Sequence, residues 1–208
     1  MSSYKTLPSP GNTEWFVNDR FGMFIHFGLY SMPARHEWVK TNEKIEDEKY
    51  DKYFKYFNPD LIDVREWAKK ARRAGMKYAI LTAKHHEGFC LFDSKYTDYK
   101  ITNTVFGRDI IAEYTEAFRA EGLRVGIYYS LIDWNHPDFT IDKLHPRCDD
   151  ENAKELNEGR DMKRYAEYMR NQVTERLESR IQSRDQSSEG ASLRCGQRRT
   201  LMSRRHYQ

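Results

Sequence analysis

The sequence predicts an α/β protein with a parallel β-sheet, in the form of the N-terminal half of a TIM-like (β/α)8 barrel followed by a disordered C-terminal tail. Three short apolar segments are typical of strands that are buried on both faces, as in parallel sheets. A helix that ends at a glycine precedes the second and the third of these segments, which indicates repeated units of helix and strand. No glycine-rich nucleotide-binding loop follows any of them, and this favours the barrel over an open doubly wound sheet.

The predicted elements alternate in the order that such repeats require. The predicted strands are residues 21–28, 78–83 and 124–131. The predicted helices are residues 42–57, 63–75, 109–121 and about 159–173. Asp63 is a candidate N-cap because Glu66 follows three residues later, and Gly75 and Gly122 are typical helix stops. A polar loop over 133–158 separates the last strand from the last helix.

Charge divides the chain into a nearly neutral body and a basic tail. The net charge of +3 over 208 residues argues against a dedicated nucleic-acid binder. Residues 176–208 contain eight arginines against three acidic residues and few apolar side chains, so they are predicted to be disordered. We therefore predict an extended lead-in over 1–13, the barrel part over 14–175 and an Arg/Ser-rich tail over 176–208.

Cysteine usage and hydropathy argue against several other classes of protein. The three cysteines include no CxxC pair, which speaks against a disulfide scaffold and a zinc finger. No stretch approaches the roughly 20 apolar residues of a membrane span. The first residues lack the apolar core of a signal peptide. A cytoplasmic location without a membrane partner is therefore the default expectation.

Polar and aromatic side chains follow each predicted strand, at the end where a barrel builds its active site. The side chains after the first strand are His26, His36, Glu37 and Trp38, those after the second are His85 and His86, and those at the third are Tyr128, Tyr129 and Trp134. Aromatic faces suit the C–H patch of a pyranose, while imidazoles and hydroxyls hydrogen-bond its OH groups. The set therefore predicts a sugar pocket.

Each of these residues also has an alternative interpretation. A lone strand histidine such as His26 is often a hydrogen-bonded core residue, and Trp38 and Trp134 could be core. Adjacent imidazoles such as His85 and His86 could bind a metal. The HExxH spacing and an accompanying group of acidic residues are both absent, however, so no metal site is predicted.

Four motifs resemble the retaining α-L-fucosidases over about residues 14–175. They are Arg20-Phe-Gly-Met-Phe-Ile-His-Phe-Gly28, the pair Glu37-Trp38, Thr82-Ala-Lys-His-His-Glu-Gly-Phe-Cys-Leu-Phe-Asp-Ser94 and Gly126-Ile-Tyr-Tyr-Ser-Leu-Ile-Asp-Trp134. The resemblance implies a (β/α)8-like catalytic barrel followed by a β-sandwich domain, no metal or other cofactor, and a fucosylated glycan or glycoconjugate as substrate. Members of this family are often secreted, periplasmic or lysosomal.

By this resemblance, the predicted substrate-binding residues are His26, Glu37, Trp38, His85, His86 and Tyr128. Tyr128 is chosen over Tyr129 because neighbouring residues of a strand face opposite ways. The resemblance also implies a part for Glu37 in the acid/base network of some members.

The two catalytic carboxyl groups of a retaining glycosidase are not assigned to any residue. The family nucleophile is an aspartate on the strand after the last predicted helix, and the resemblance ends near Glu175, within that helix. Asp133, Asp138, Asp142 and Glu87 are carboxylates outside the nucleophile's motif. We expect this chain to be inactive alone, and a shifted reading frame or a truncated gene model would explain the change after Glu175.

Two other functions stay open at this point. The same histidines and aromatic residues could form a non-catalytic fucose-binding module. The arginines of the tail could bind nucleic acid, although the absence of interleaved aromatic residues argues against a nucleic-acid partner.

Overall fold

The computed structural model describes residues 13–176, and its centre is a sheet of three parallel strands. The strands lie in the order β1 (Gly22–Ile25), β2 (Tyr78–Lys84) and β3 (Arg124–Tyr129). The helices are α1 (Glu14–Asn18), α2 (Val39–Asn42), α3 (Asp47–Tyr56), α4 (Val64–Arg73), α5 (Ile110–Ala120), α6 (Ala153–Leu156) and α7, which covers 162–176 up to the last described residue. The predicted α/β class with a parallel sheet is thus confirmed. All but the inner ends of the predicted lead-in and tail lie outside the described residues.

Helices α4 and α5 begin and end where the sequence predicts. The Asp63 carboxylate accepts the backbone N–H groups of Arg65 and Glu66, both at 3.0 Å. Asp109 caps α5 in the same way, because its side chain accepts from the N–H of Ala112 at 2.8 Å. These contacts satisfy amide groups that have no partner inside the helix. After each helix the chain turns through a glycine with positive φ, which leads it back into the next strand.

The core lies between the helices and one face of the sheet. Its strand members include Ala79, Leu81 and Ala83, which are fully buried. The apolar sides of α4 and α5 cover them with Val64, Ala68, Ala71, Ile110, Ile111, Tyr114, Ala117 and Phe118. This packing places the two helices on the same face of the sheet and leaves the strand ends free to carry other side chains.

The expectation that the first strand is buried on both faces is wrong. Within residues 13–176, β1 pairs only with β2, and its Phe24 side chain is 48% exposed. Phe24 lies on the face of the sheet opposite the helices, as do Ile80 and Gly126 of the neighbouring strands by register. The apolar residues of β1 therefore point in two directions: Met23 and Ile25 pack against the core, and Phe24 lies on the open face.

Two irregularities interrupt elements that the sequence predicts as continuous. The predicted helix over 42–57 is broken, because Lys44 has a φ of 51° between α2 and α3. Strand β2 carries a bulge, since Thr82 pairs with Tyr128 whereas Lys84 pairs with Tyr129. Ala83 is the extra residue, and it changes the direction in which the following side chains point.

The predicted polar loop over 133–158 is more ordered than expected. It contains the short helix α6, and the side chain of Asn157 accepts from the backbone N–H of Ile141 (2.8 Å) and donates to its carbonyl (3.1 Å). The last helix begins at residue 162 rather than 159 because Gly159 has a φ of 85°. The loop thus packs as a defined segment beside the strand ends.

Candidate functional site

The predicted site residues come together at the carboxyl ends of the three strands. The ring centroids of His85 and His86 are 4.2 Å apart, and that of His26 lies 5.6 Å from His85. Trp38, which directly precedes α2, is 4.5 Å from His86. Tyr128 lies 5.9 Å from His85 and 6.3 Å from His26. Five rings from four separate segments of the chain therefore line one region.

Two aromatic residues outside the predicted set, Phe24 and Tyr30, also belong to this cluster, as does Trp134, a candidate at the third strand. Phe24 stacks on His26 at 4.8 Å, and Tyr30 lies 5.2 Å from His85. Trp134 is only 4% exposed and lies 5.4 Å from His86. Alternation along β1 is the signal that could have found Phe24, because it lies two residues before His26. Tyr30 and Trp134 follow strands in loops, where periodicity gives no direction.

The bulge in β2 decides which side chains reach the cluster. Lys84 Nζ lies 4.6 Å from the ring centre of Tyr129, on the side of the sheet where the helices pack. His85 instead faces Tyr128. Without the extra residue at Ala83, the alternation of the strand would exchange the two directions. The structure thereby places Tyr128 with the cluster, and Tyr129 away from it.

His36 is the one histidine of the first loop that does not join the cluster. Its Nδ1 atom accepts the backbone N–H of Trp38 at 3.2 Å, and its side chain is exposed. This local contact holds the turn that presents Trp38. Glu37 is half-buried, and its charge partly offsets the lowering of the pKa of His26 and of His86. A single carboxylate thus acts on two of the three imidazoles.

His26 and His86 are neutral near pH 7 because their pKa values are lowered. Burial and the neighbouring charge of His85 lower the pKa of His86 to about 4. The same two causes lower the pKa of His26. Rings that stand this close would repel one another if they were charged. The site therefore offers neutral hydrogen-bonding groups.

One tautomer follows directly from the hydrogen bonds of His86. Its Nδ1 atom lies 2.7 Å from the Ser130 hydroxyl oxygen, and that hydroxyl lies 2.7 Å from the carbonyl oxygen of Ile132. A carbonyl can only accept, so the single proton of Ser130 goes to Ile132, and Nδ1–H of His86 donates to Ser130. The Nε2 atom of His86 is then unprotonated and can accept a hydrogen bond from a ligand hydroxyl.

Most of the carboxylates near the strand ends already have partners in the fold. Asp133 forms an ion pair with Lys84, and Asp138 forms one with Arg164. Asp142 accepts the backbone N–H of Leu144 at 2.9 Å. Within residues 13–176, no group of three histidine, cysteine, aspartate or glutamate side chains is arranged to hold a metal ion. In the same range, no helix has the length and apolar character to cross a bilayer.

These observations define a class of protein before any comparison is made. Aromatic rings stand beside neutral imidazoles and a tyrosine, at the end of a parallel sheet where α/β enzymes bind their substrates. Ring faces and neutral acceptors are the groups that bind carbohydrates, as in the sugar sites of glycosidases. The fold and the site are thus those of a glycosidase-type α/β domain.

The comparisons with known proteins name the family. The alpha-L-fucosidase family model matches residues 2–182. Human plasma alpha-L-fucosidase is 36% identical over 159 residues, which are 68% of this chain and 34% of that protein. The solved alpha-L-fucosidase isoenzyme 1 from Paenibacillus thiaminolyticus is 57% identical with a TM-score of 0.76, covering 79% of this chain and 39% of that one. The chain belongs to the α-L-fucosidase family, a family of glycoside hydrolases.

A third relative was solved with a fucose derivative. It is an alpha-L-fucosidase from Bacteroides thetaiotaomicron, described as a trapped covalent intermediate in complex with 2-fluoro-fucosyl fluoride. It is 36% identical, with a TM-score of 0.65, and the match covers 77% of this chain and 37% of that one. The present chain spans about a third of the length of the curated relatives that it matches.

Proposed function

We propose that residues 14–175 form the fucose-binding part of an α-L-fucosidase active site, which takes the terminal α-L-fucose of a glycan or glycoconjugate. The observation that carries this proposal is the convergence of His26, Trp38, His85 and His86, with ring centroids of neighbouring residues 4.2 to 5.6 Å apart. Membership of the family supplies the identity of the sugar.

The chemistry of the cluster fits a deoxyhexose. The ring of Trp38 provides an apolar face for the C–H groups and the methyl group of the sugar. The Nε2 atom of His86 accepts a hydrogen bond from a sugar hydroxyl. The carboxylate of Glu37 provides a second strong hydrogen-bond acceptor near it. Tyr128 adds a phenol from the third strand. These groups come from separate segments, so only the folded chain presents them together.

We further infer that the three strands are the first part of a (β/α)8 barrel. The parallel order β1-β2-β3 and the helices on one face are consistent with that architecture. The exposed Phe24 lies on the face that would line a barrel interior. In a closed barrel, side chains from further strands would cover it.

We propose that the complete enzyme hydrolyses fucosides by a retaining mechanism, and that this chain alone binds fucose without cleaving it. A retaining glycosidase needs two carboxyl groups about 5–5.5 Å apart, one as nucleophile and one as acid/base. The covalent intermediate of the Bacteroides relative supports this mechanism for the family. Asp133 and Asp138 form ion pairs with Lys84 and Arg164, which gives each of these carboxylates a structural role in the fold.

The test measures binding and hydrolysis on the same preparation. We expect the 208-residue chain to bind L-fucose, but not its mirror image D-fucose, by isothermal titration calorimetry. Trp38→Ala should lower the affinity at least tenfold. Trp15→Ala is the matched control, because Trp15 contacts Tyr78 at the opposite end of the sheet. Equal loss in both variants, or no binding at all, would contradict the proposed site.

Hydrolysis of an aryl α-L-fucoside separates the catalytic part of the proposal from the binding part. We expect no turnover above the rate without protein. Turnover above that rate would show that this chain carries its own nucleophile and would contradict the proposal. Binding without turnover would agree equally with a non-catalytic fucose-binding module, which sequencing of the gene downstream of the codon for Glu175 would distinguish.

A further inference from the structure

A buried carboxylate next to the cluster, that of Glu87, makes no hydrogen bond through Oε2 in the described part of the chain. Glu87 is 2% exposed. His85 is 3% exposed, and its Nδ1 atom is also buried without a hydrogen bond there. These two atoms lie 3.6 Å apart.

The surroundings of Glu87 make this pairing the natural one. Burial, and to a lesser extent the charge of Glu87, raises the pKa of Tyr30 and of Tyr50, so the carboxylate lies near these buried phenol groups. A methyl group on Gly28 would lie 2.8 Å from the Tyr30 ring and 3.1 Å from Oε1 of Glu87, so the glycine leaves room for both side chains. A buried carboxylate and a buried imidazole nitrogen without hydrogen bonds each destabilise the fold, because both were solvated in the unfolded chain. A hydrogen bond between them, for which the two atoms would approach slightly from 3.6 Å, would remove both costs.

We propose that Glu87 is a positioning residue that holds the His85 ring with Nδ1–H directed at its carboxylate, which leaves Nε2 as the acceptor for a hydroxyl of the sugar. The inference rests on the proposed function for the identity of the ligand, but the state of the ring does not depend on it. Carboxylates orient histidines in this way wherever one nitrogen must stay unprotonated.

The pairing has a consequence for specificity. The hydrogen bonds of Ser130 give His86 the same tautomer. Both adjacent imidazoles would then accept a hydrogen bond through Nε2, and neither Nε2 atom would donate one. A site of this kind favours neighbouring hydroxyl groups that can both donate, and it selects against a ligand that lacks one of them, since a buried acceptor would stay unpaired.

The experiment reads the tautomer by long-range 1H–15N NMR of the 208-residue chain. We expect the His85 signals to show a protonated Nδ1 and an unprotonated Nε2. In Glu87→Gln we expect the protonated nitrogen to change to Nε2, as in a free imidazole. In the same variant the dissociation constant for L-fucose should rise about tenfold, equivalent to about 1.4 kcal/mol. Glu48→Gln, which removes the same charge from an exposed side chain, should change neither.

The outcomes separate this inference from the proposed function. A wild-type His85 that carries its proton on Nε2, or a ring that is unaffected by Glu87→Gln, overturns the inference. The wild-type spectrum decides the matter if the variant does not fold. Glu87→Asp provides a second variant, since it keeps the charge but withdraws the carboxylate from Nδ1 of His85, and it should shift the tautomer as Glu87→Gln does. The predicted tautomer in a chain that does not bind fucose would overturn the proposed function but leave the role of Glu87.

Discussion

Lys84 and Asp133 form an ion pair that connects the end of β2 to the loop after β3. The Lys84 Nζ atom lies 2.7 Å from Oδ2 of Asp133, and the two side chains are 0% and 2% exposed. Oδ1 of Asp133 accepts the backbone N–H groups of Asn135 (3.1 Å) and His136 (3.0 Å). The pair therefore links the strand that leads into His85 with the loop that follows Trp134.

Loss of the Asp133 charge should destabilise the fold strongly. Asp133→Asn keeps an oxygen for the backbone N–H groups, but it leaves the buried ammonium of Lys84 without a counter-ion. We expect the free energy of unfolding, measured with urea, to fall by about 3–5 kcal/mol. Asp150→Asn, which breaks a half-exposed pair with Arg147, should cost less than about 1 kcal/mol. Similar losses in both variants would disprove the role of the buried pair.

Two constraints require a glycine at position 88: a positive φ and the close approach of the Asp133 side chain. Its φ is 84°, and an added methyl group would overlap Oδ1 of Asp133. Gly75 has nearly the same φ of 86° with open space around it. Gly75→Ala should therefore lower the free energy of unfolding by about 1 kcal/mol, the cost of the left-handed backbone. Gly88→Ala should cost clearly more in the same urea titration. Equal costs would show that Asp133 moves aside freely.

The two adjacent tyrosines of β3 should differ in what their hydroxyl groups do. Tyr129 donates to Oε1 of Gln172 at 2.6 Å, within the packing between the sheet and α7. Tyr129→Phe should lower stability by about 1 kcal/mol without changing affinity for L-fucose. Tyr128→Phe should weaken L-fucose binding severalfold and leave the urea midpoint unchanged. Calorimetric titration and urea unfolding of both variants give the comparison, and an exchange of the two effects would refute the assignment of faces.

Stability should fall as the pH drops from about 6.5 towards 4.5. Burial lowers the pKa of His26, His86, His136 and His145 below the ordinary value of 6.5. In this range the unfolded chain takes up protons that the folded chain does not, so the free energy of unfolding decreases as pH decreases. Urea midpoints at several pH values measure the slope. His86→Gln should reduce it, and an unchanged slope in that variant would contradict the neutral, buried state of the ring.

The local elements were predictable because their signals are local. Capping carboxylates at Asp63 and Asp109 and the glycines that follow α4 and α5 define the helices without help from the rest of the chain. Apolar runs locate β2 and β3 close to their observed bounds. The convergence of His26, His85 and their neighbours was also predictable, since parallel strands bring them to one edge whatever the details of packing.

Other features depend on contacts between distant segments. Phe24 is exposed because α4 and α5 pack on the other face of the sheet. An apolar run alone does not show which of the two faces of a strand the helices will cover. The break between α2 and α3 lies at Lys44, which has a positive φ and forms an ion pair with Asp149 of a distant segment. The roles of Tyr30 and Trp134 depend on the paths of their loops.

The amino-acid sequence by itself determined the family, the repeated pairing of helix with strand, and the residue types that gather at the strand ends. These properties lie in motifs and in periodicities that need no knowledge of distant contacts. Only the tertiary structure revealed the extra residue in β2. This residue directs Lys84 towards Asp133 and His85 towards Tyr128. The physical reason is that the register between strands and the burial of a charge are set by partners about 50 residues away in the chain, which no local pattern records.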